Sequence, residues 1–228
     1  CNENITQKEL ISLIEKLNND IKFHGILIQL PLPDHLKTNT ILRAVDHNKD
    51  VDGFHPFNLG ALLQGKPRFI PCTPRGILEI FKFYKIKVSG KHAVIIGRST
   101  IVGKPMFALL AQKFEIGNAT VTICHTGTEN LVNHIKQADV LIAAVGIPHF
   151  VKSNMIKKGV QIIDVGINRV FDETSKKYSL CGDVDTHNVL GIAKSITPVP
   201  GGVGPLTITM LLANTIDSAE ESNLKTIF

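Results

Sequence analysis

"IIGRSTIVGKP", residues 95 to 105, decides how the rest of the chain is read. The apolar run Ala93, Val94, Ile95 and Ile96 passes into Gly97, Ser99 and Gly103, and a helical pattern follows at once. A short Val/Ile strand that turns through glycines into a helix is the opening of a dinucleotide-binding unit. The fingerprint G-x-G-x-x-G is altered, however: Ser99 and Val102 occupy the second and third glycine positions, and a glycine returns only at Gly103. The amino end of a helix still offers N–H groups and a favourable dipole to an anion, so a nucleotide loop of changed geometry is expected.

Outward from this loop the rhythm is regular. Strands are expected at 92–97, 119–124, 139–145 and 160–165, and helices at 74–84, 103–114 and 128–137. Short Val/Ile runs alternating with helices indicate an α/β fold built on a Rossmann-type, doubly wound parallel sheet. This unit is assigned to residues 73–196. On its amino-terminal side, Thr6-x-x-Glu9 has the form of a capping box and opens a helix over 6–19. Residues 25–30 read as a buried strand ended by Pro31 and Pro33, residues 35–46 as weakly helical, and 49–74 as loop with a short helix near 57–63. A last helix at 206–219 is launched by "PVPGGVGP", residues 198–205.

Composition narrows the function. The 228 residues are 43% hydrophobic and 20% charged, ordinary for a soluble globular chain of one large or two modest domains. No run reaches the roughly 18 apolar residues of a membrane span, and no signal peptide opens the sequence; a cytoplasmic protein is expected. Cys1, Cys72, Cys124 and Cys181 are dispersed, which argues against a zinc site or a disulfide framework. The charge of +5 comes from scattered lysines without interleaved aromatics, so nucleic acid is not an expected partner.

In open parallel sheets ligands bind beyond the carboxyl ends of the strands. Those ends read Gly97-Arg98-Ser99, Cys124-His125-Thr126, Val145-Gly146-Ile147 and Asp164-Val165-Gly166-Ile167. An NAD-binding unit places an acid at the end of its second strand, but here no carboxylate occurs until Glu129. "KDVDGFHP", residues 49–56, sets Asp50 and Asp52 on one side of an extended segment. No third ligand completes a metal site, and no metal is expected. Two readings stay open: a carboxylate for paired N–H donors of a heterocycle, or an Asp-Gly turn in which Asp52 bonds its own backbone. Gly201, Gly202 and Gly204 suit either a helix start or the approach of something flat or anionic. Gln29, in an apolar strand, reads as a buried amide that serves structure or orients a catalytic group. His24, His47, His55, His125 and His187 lack metal spacing and receive no role.

With "ILIQLPLP" at 26–33, "KDVDGFHP" at 49–56, "PCTPRG" at 71–76, "GRSTIVGKP" at 97–105, "DVGIN" at 164–168 and "TPVPGGVGP" at 197–205, the chain closely resembles the bifunctional methylenetetrahydrofolate dehydrogenase/cyclohydrolase family, called FolD in bacteria. The resemblance implies an NADP-binding lobe at 73–196 and a folate lobe of 1–72 completed by 197–228, usually paired as a homodimer. It implies oxidation of 5,10-methylenetetrahydrofolate by NADP⁺ and hydrolysis of the methenyl product to 10-formyltetrahydrofolate. Carried over by motif, Asp52 binds the pterin, Gln29 orients the catalytic lysine, and Ile28, Leu30, Pro200, Gly201, Gly202, Val203 and Gly204 line the substrate. Gly97, Arg98, Ser99, Thr126 and Ile167 hold NADP.

The family's catalytic lysine lies in a Tyr-x-x-x-Lys motif that these residues do not contain: Tyr84 precedes Lys85, and Tyr178 has no lysine four places on. Together with a first residue that is Cys1, this gives the expectation of a truncated folate lobe, in a chain that as given would be inactive. The competing readings are a non-catalytic NADP-binding remnant or subunit of the same family, and a shikimate-type dehydrogenase, which leaves "KDVDGFHP" and "TPVPGGVGP" unexplained.

Overall fold

The computed structural model describes residues 2–172 and 176–226; Cys1 lies outside them. The chain divides into two units, Cys1–Cys72 with Met210–Phe228, and Thr73–Thr209. The first boundary falls where the sequence pattern changes. The second differs from the expected 196/197, because residues 197–209 continue directly from a strand of the sheet unit.

In the first unit, helix α1 (Gln7–Asn19) starts as the capping box requires. The Glu9 N–H donates to the Thr6 hydroxyl at 3.3 Å, and the Thr6 N–H and hydroxyl donate to the Glu9 carboxylate at 2.8 and 2.7 Å. These bonds satisfy donors that the first helical turn leaves without partners and hold the Glu9 carboxyl below its ordinary pKa. Thr6→Ala should cost about 1 kcal/mol, read as a shift in the urea midpoint. Helix α2 (Thr38–Ala44) packs beside α1, closing a core of Leu10, Ile14, Ile26, Leu36, Ile41 and Val45. Lys49 closes the other end of α1, its Nζ donating to the carbonyls of Leu17 and Asp20 at 2.9 and 2.8 Å.

The strand expected at 25–30 does not form. Ile26 makes one isolated parallel bridge with Asp50, and its N–H donates to the Lys49 carbonyl at 2.7 Å. An apolar run becomes a strand only where a neighbour continues the ladder, and beyond this bridge no ladder forms among the described residues. Leu27 is consequently 44% exposed. Gln29 is exposed too, so the expected buried amide is corrected: its Nε2 donates to the adjacent Leu30 carbonyl.

The second unit is a five-stranded parallel sheet in the order β2-β1-β3-β4-β7. Its strands are β1 (His92–Ile96), β2 (Thr120–Cys124), β3 (Val140–Ala143), β4 (Gln161–Asp164) and β7 (Ser195–Ile196). Helices α4 (Cys72–Phe83), α5 (Gly103–Ala111), α6 (Leu131–Gln137) and α7 (Thr186–Val189) lie between or beside them in sequence, after α3 (Pro56–Leu63) of the first unit. β1 and β3 are almost wholly buried, as expected of strands covered on both faces. Register aligns Ile96 with both Cys124 and Ala143, and Ala143 with Asp164, so the carboxyl ends are level. An antiparallel hairpin, β5 (Asn168–Asp172) and β6 (Lys177–Cys181), projects after β4 and was not expected. The final helix α8 (Val203–Thr226) starts within the glycine-rich run, earlier than expected. Among the described residues, no helix is long and apolar enough to cross a membrane.

Candidate functional site

The loop after β1 shows why its glycines stand where they do. Gly97 has φ +118°, and a Cβ there would lie 2.2 Å from the Ala144 carbonyl oxygen. A Cβ on Gly103 would lie 2.1 Å from the Gly97 carbonyl oxygen. Both glycines thus serve backbone-to-backbone approaches within the protein, one against the end of β3 and one where α5 leaves the loop. Ser99 replaces the missing glycine with a cap: its hydroxyl accepts from the N–H groups of Val102 and Gly103 at 3.1 and 3.4 Å. The first donors of α5 are therefore already engaged, and the expectation of an anion seated directly on them is corrected.

What remains open at this edge is different. Arg98 and Thr126 are both exposed, and each stands two residues past the paired strand ends Ile96 and Cys124. The loop after β2 is tied by its own bonds, the His125 N–H to the Thr128 hydroxyl at 2.8 Å and the Gly127 N–H to His125 Nδ1 at 3.1 Å. After β3, Gly146 has φ +69° with open space where a Cβ would stand, and Ile147 is 49% exposed. After β4, Ile167 is 61% exposed and borders a cavity of about 150 Å³ together with Leu180 and Pro200 to Gly204. The sheet edge thus brings Gly97, Arg98, Ser99, Thr126, Ile167 and the glycine-rich run into one unit.

Asp164 and Asp183, both buried, support this edge, and sequence reading missed Asp183. The Asp183 carboxylate accepts from the N–H groups of Val145, Gly146 and Ile147 and from the Asn168 amide, at 2.6 to 3.0 Å. Asp164 accepts from Gly166, Asp183 and Val184 N–H groups. Burial pushes the Asp164 carboxyl up to about 6 in spite of these bonds. No short sequence pattern announces such a pair, since the donors are backbone groups from distant segments. A larger cavity, about 510 Å³, reaches Lys91, Gln161 and Ser195 at the amino ends of β1, β4 and β7. Its size does not make it the site, because ligands of such sheets bind at the carboxyl ends.

In the first unit, the two aspartates of "KDVDGFHP" have separate tasks. Asp50, 5% exposed, accepts from Phe54 N–H, His55 N–H and the Asn58 amide at 3.2, 2.8 and 2.7 Å. The turn reading therefore holds with Asp50, not Asp52, as the residue that bonds the backbone. Asp52 is half-buried, and its Oδ1 accepts from the Cys72 thiol at 3.5 Å. Burial pushes its carboxyl up to about 6, the Cys72 contact opposes this, and the Asp50 charge adds to it. Ile28 and Leu30, which flank Gln29 in sequence, are partly buried. Among the described residues no group of His, Cys, Asp or Glu is placed to hold a metal.

The family model for the tetrahydrofolate dehydrogenase/cyclohydrolase NAD(P)-binding domain matches residues 71–223, and that for its catalytic domain matches residues 1–52. The bifunctional protein FolD of Chlamydia muridarum is 54% identical over 214 residues, covering 93% of this chain and 75% of the relative. That of Lawsonia intracellularis is 54% identical over 220 residues, covering 95% and 74%. The crystal structure of the bifunctional FolD enzyme from Campylobacter jejuni superimposes with a TM-score of 0.89 at 51% identity, over 96% of this chain and 75% of that one. The Trypanosoma brucei enzyme, crystallised with NADP cofactor and inhibitor, gives 0.88 at 37% identity, over 96% and 74%.

Proposed function

Because this chain belongs to the tetrahydrofolate dehydrogenase/cyclohydrolase family, we propose the following division of its chemistry among its residues. The protein oxidises 5,10-methylenetetrahydrofolate with NADP⁺ and hydrolyses the methenyl product to 10-formyltetrahydrofolate, in one-carbon folate interconversion. The residues at the sheet edge suit the cofactor: Gly146 leaves open space, Ile147 and Ile167 offer apolar surface, and Arg98 and Thr126 offer exposed donors. When bound, NADP⁺ supplies the acceptor for the substrate's hydride.

The chain's own residues bind and orient. Arg98 and Thr126 hold the 2′-phosphate, the guanidinium through charge-assisted bonds and the hydroxyl through one more. Gly97 and Ser99 shape the turn that presents them. Ile167 packs against NADP⁺, and the Pro200 to Gly204 run lines the space for the nicotinamide and folate. Asp52 accepts N–H donors from the pterin; with a pKa of about 6 it is mostly ionised at neutral pH, the form that accepts. Gln29, exposed and among the described residues donating only to the Leu30 carbonyl, has an amide free to orient the lysine of the family's Tyr-x-x-x-Lys motif, which these 228 residues do not contain. Ile28 and Leu30 flank Gln29 against the substrate. The reading also carries a homodimer working in the cytoplasm; the half-exposed Phe171, Tyr178 and Leu180 of the hairpin offer apolar area that pairing would cover.

The observation that carries the cofactor assignment is the end of β2, beyond which Thr126 stands without an acid, while exposed Arg98 stands equally far past Ile96, the β1 residue paired with the end of β2. Arg98→Ala should weaken NADP⁺ binding about tenfold, the lower end of what a hydrogen bond to a charged group contributes, because the guanidinium is exposed. NAD⁺ binding should hardly change. Fluorescence titration at matched ionic strength measures both, and equal NADP⁺ and NAD⁺ affinities in the unmutated protein would remove the assignment.

A further inference from the structure

The buried carboxylate of Asp183 has no task in the chemistry above, yet it gathers more of the sheet's carboxyl edge than any residue named there. Val145, Gly146 and Ile147 are consecutive, and all three N–H groups point to its two oxygens. Three successive N–H groups converging on one carboxylate fix the direction in which the loop after β3 leaves the sheet, because each bond constrains a neighbouring peptide plane. The same carboxylate takes the Asn168 amide at 2.9 Å, and Asn168 follows Ile167. Two loops that leave different strands are therefore set by one side chain.

The backbone is shaped to permit this. A Cβ on Gly166 would lie 2.2 Å from Asp183 Oδ1, and one on Gly182 would lie 1.8 Å from Asp164 Oδ2. Asp164 in turn accepts from the Asp183 N–H at 2.9 Å and the Val184 N–H at 3.0 Å, so one carboxylate seats the residue that carries the other. Asp183 is 0% exposed, and its acceptor sites face donors of the protein itself. On the two loops it holds, the side chains of Ile147 and Ile167 are exposed.

We propose that Asp183 is a positioning residue for the dinucleotide: through the Val145 to Ile147 amides and Asn168 it fixes the two apolar surfaces, Ile147 and Ile167, against which the cofactor lies. This rests on the NADP assignment above. It predicts an asymmetric defect, because the hydrolytic reaction uses no dinucleotide while the oxidation does.

The test uses the whole natural protein, unmutated and as Asp183→Ala and Asp183→Asn. The asparagine variant keeps the volume and one acceptor oxygen, and serves if the alanine variant fails to fold. The KM for NADP⁺ should rise tenfold or more, while the KM for methylenetetrahydrofolate and the rate of methenyl hydrolysis stay within about twofold. Calorimetric titration with NADP⁺ alone should show the same loss. Parallel loss of both activities and of folate affinity would mark Asp183 as a general structural support and overturn the proposal, as would an unchanged NADP⁺ affinity. An unmutated protein that hydrolysed methenyltetrahydrofolate but did not bind NADP⁺ would overturn the cofactor assignment together with this inference.

Discussion

At pH 8 the Asp52→Asn protein should bind the folate substrate roughly 10- to 150-fold more weakly than the unmutated protein, the equivalent of about 1.5 to 3 kcal/mol for a charge-assisted hydrogen bond. An amide presents one oxygen and one NH₂ where a carboxylate presents two acceptors, so one pterin donor meets another donor. The pH dependence gives a second reading of the same residue. Its pKa, raised to about 6 chiefly by burial, means that the carboxylate gains its proton as pH falls through about 6. Affinity in the unmutated protein should then drop about tenfold per unit below that point, whereas the asparagine variant, with nothing to titrate there, should stay flat. The two proteins converge near pH 5 if the difference at pH 8 is about tenfold, and near pH 4 if it is about 150-fold. Asp50 cannot take over, since its oxygens already accept from Phe54, His55 and Asn58. Equal affinities at pH 8 would remove Asp52 from pterin recognition, leaving NADP⁺ binding as the unaffected control in either case.

The sheet was legible because its central strands are buried on both faces and therefore read as unbroken apolar runs, as in Ala93 to Ile96 and Val140 to Ala143. The same reading failed at 25–30, where an equally apolar run lacks a ladder beyond the Ile26 to Asp50 bridge. Hydrophobicity reports burial, and pairing is decided elsewhere in the chain. The hairpin of β5 and β6 escaped for the opposite reason: residues 177–180 are exposed, so no apolar alternation marks β6. At the site, the places of Arg98 and Thr126 could be read from the sequence because each stands one or two residues past a recognisable strand. Asp183 could not, because its partners Val145 to Ile147 lie 36 to 38 positions away and are backbone groups that any residue would supply. The division of labour between Asp50 and Asp52 was equally hidden, since alternation places both on one side of a strand and only folding shows which one turns inward.

The largest effect on stability is expected at Gly97, where the loop that organises the sheet edge turns. Its φ of +118° lies in a region that residues with a Cβ rarely adopt, and forcing one there costs about 1 to 3 kcal/mol. The added carbon would also stand 2.2 Å from the Ala144 oxygen and 3.0 Å from its carbonyl carbon, a backbone that cannot rotate aside as a side chain would. Overpacking of this kind adds about 1 to 3 kcal/mol. Gly97→Ala should therefore lose roughly 2 to 6 kcal/mol in all, much of what a marginally stable domain possesses. Gly146 provides the comparison, since its φ of +69° is also positive but nothing lies within 4 Å of a Cβ there. Gly146→Ala should cost only about 1 to 2 kcal/mol, the left-handed penalty without the collision. Urea unfolding of the two variants beside the unmutated protein separates strain from contact: the Gly97 midpoint should fall far below that of Gly146. If the two fall together, the approach of the β1 loop to Ala144 does not constrain the fold, and φ alone accounts for the glycine.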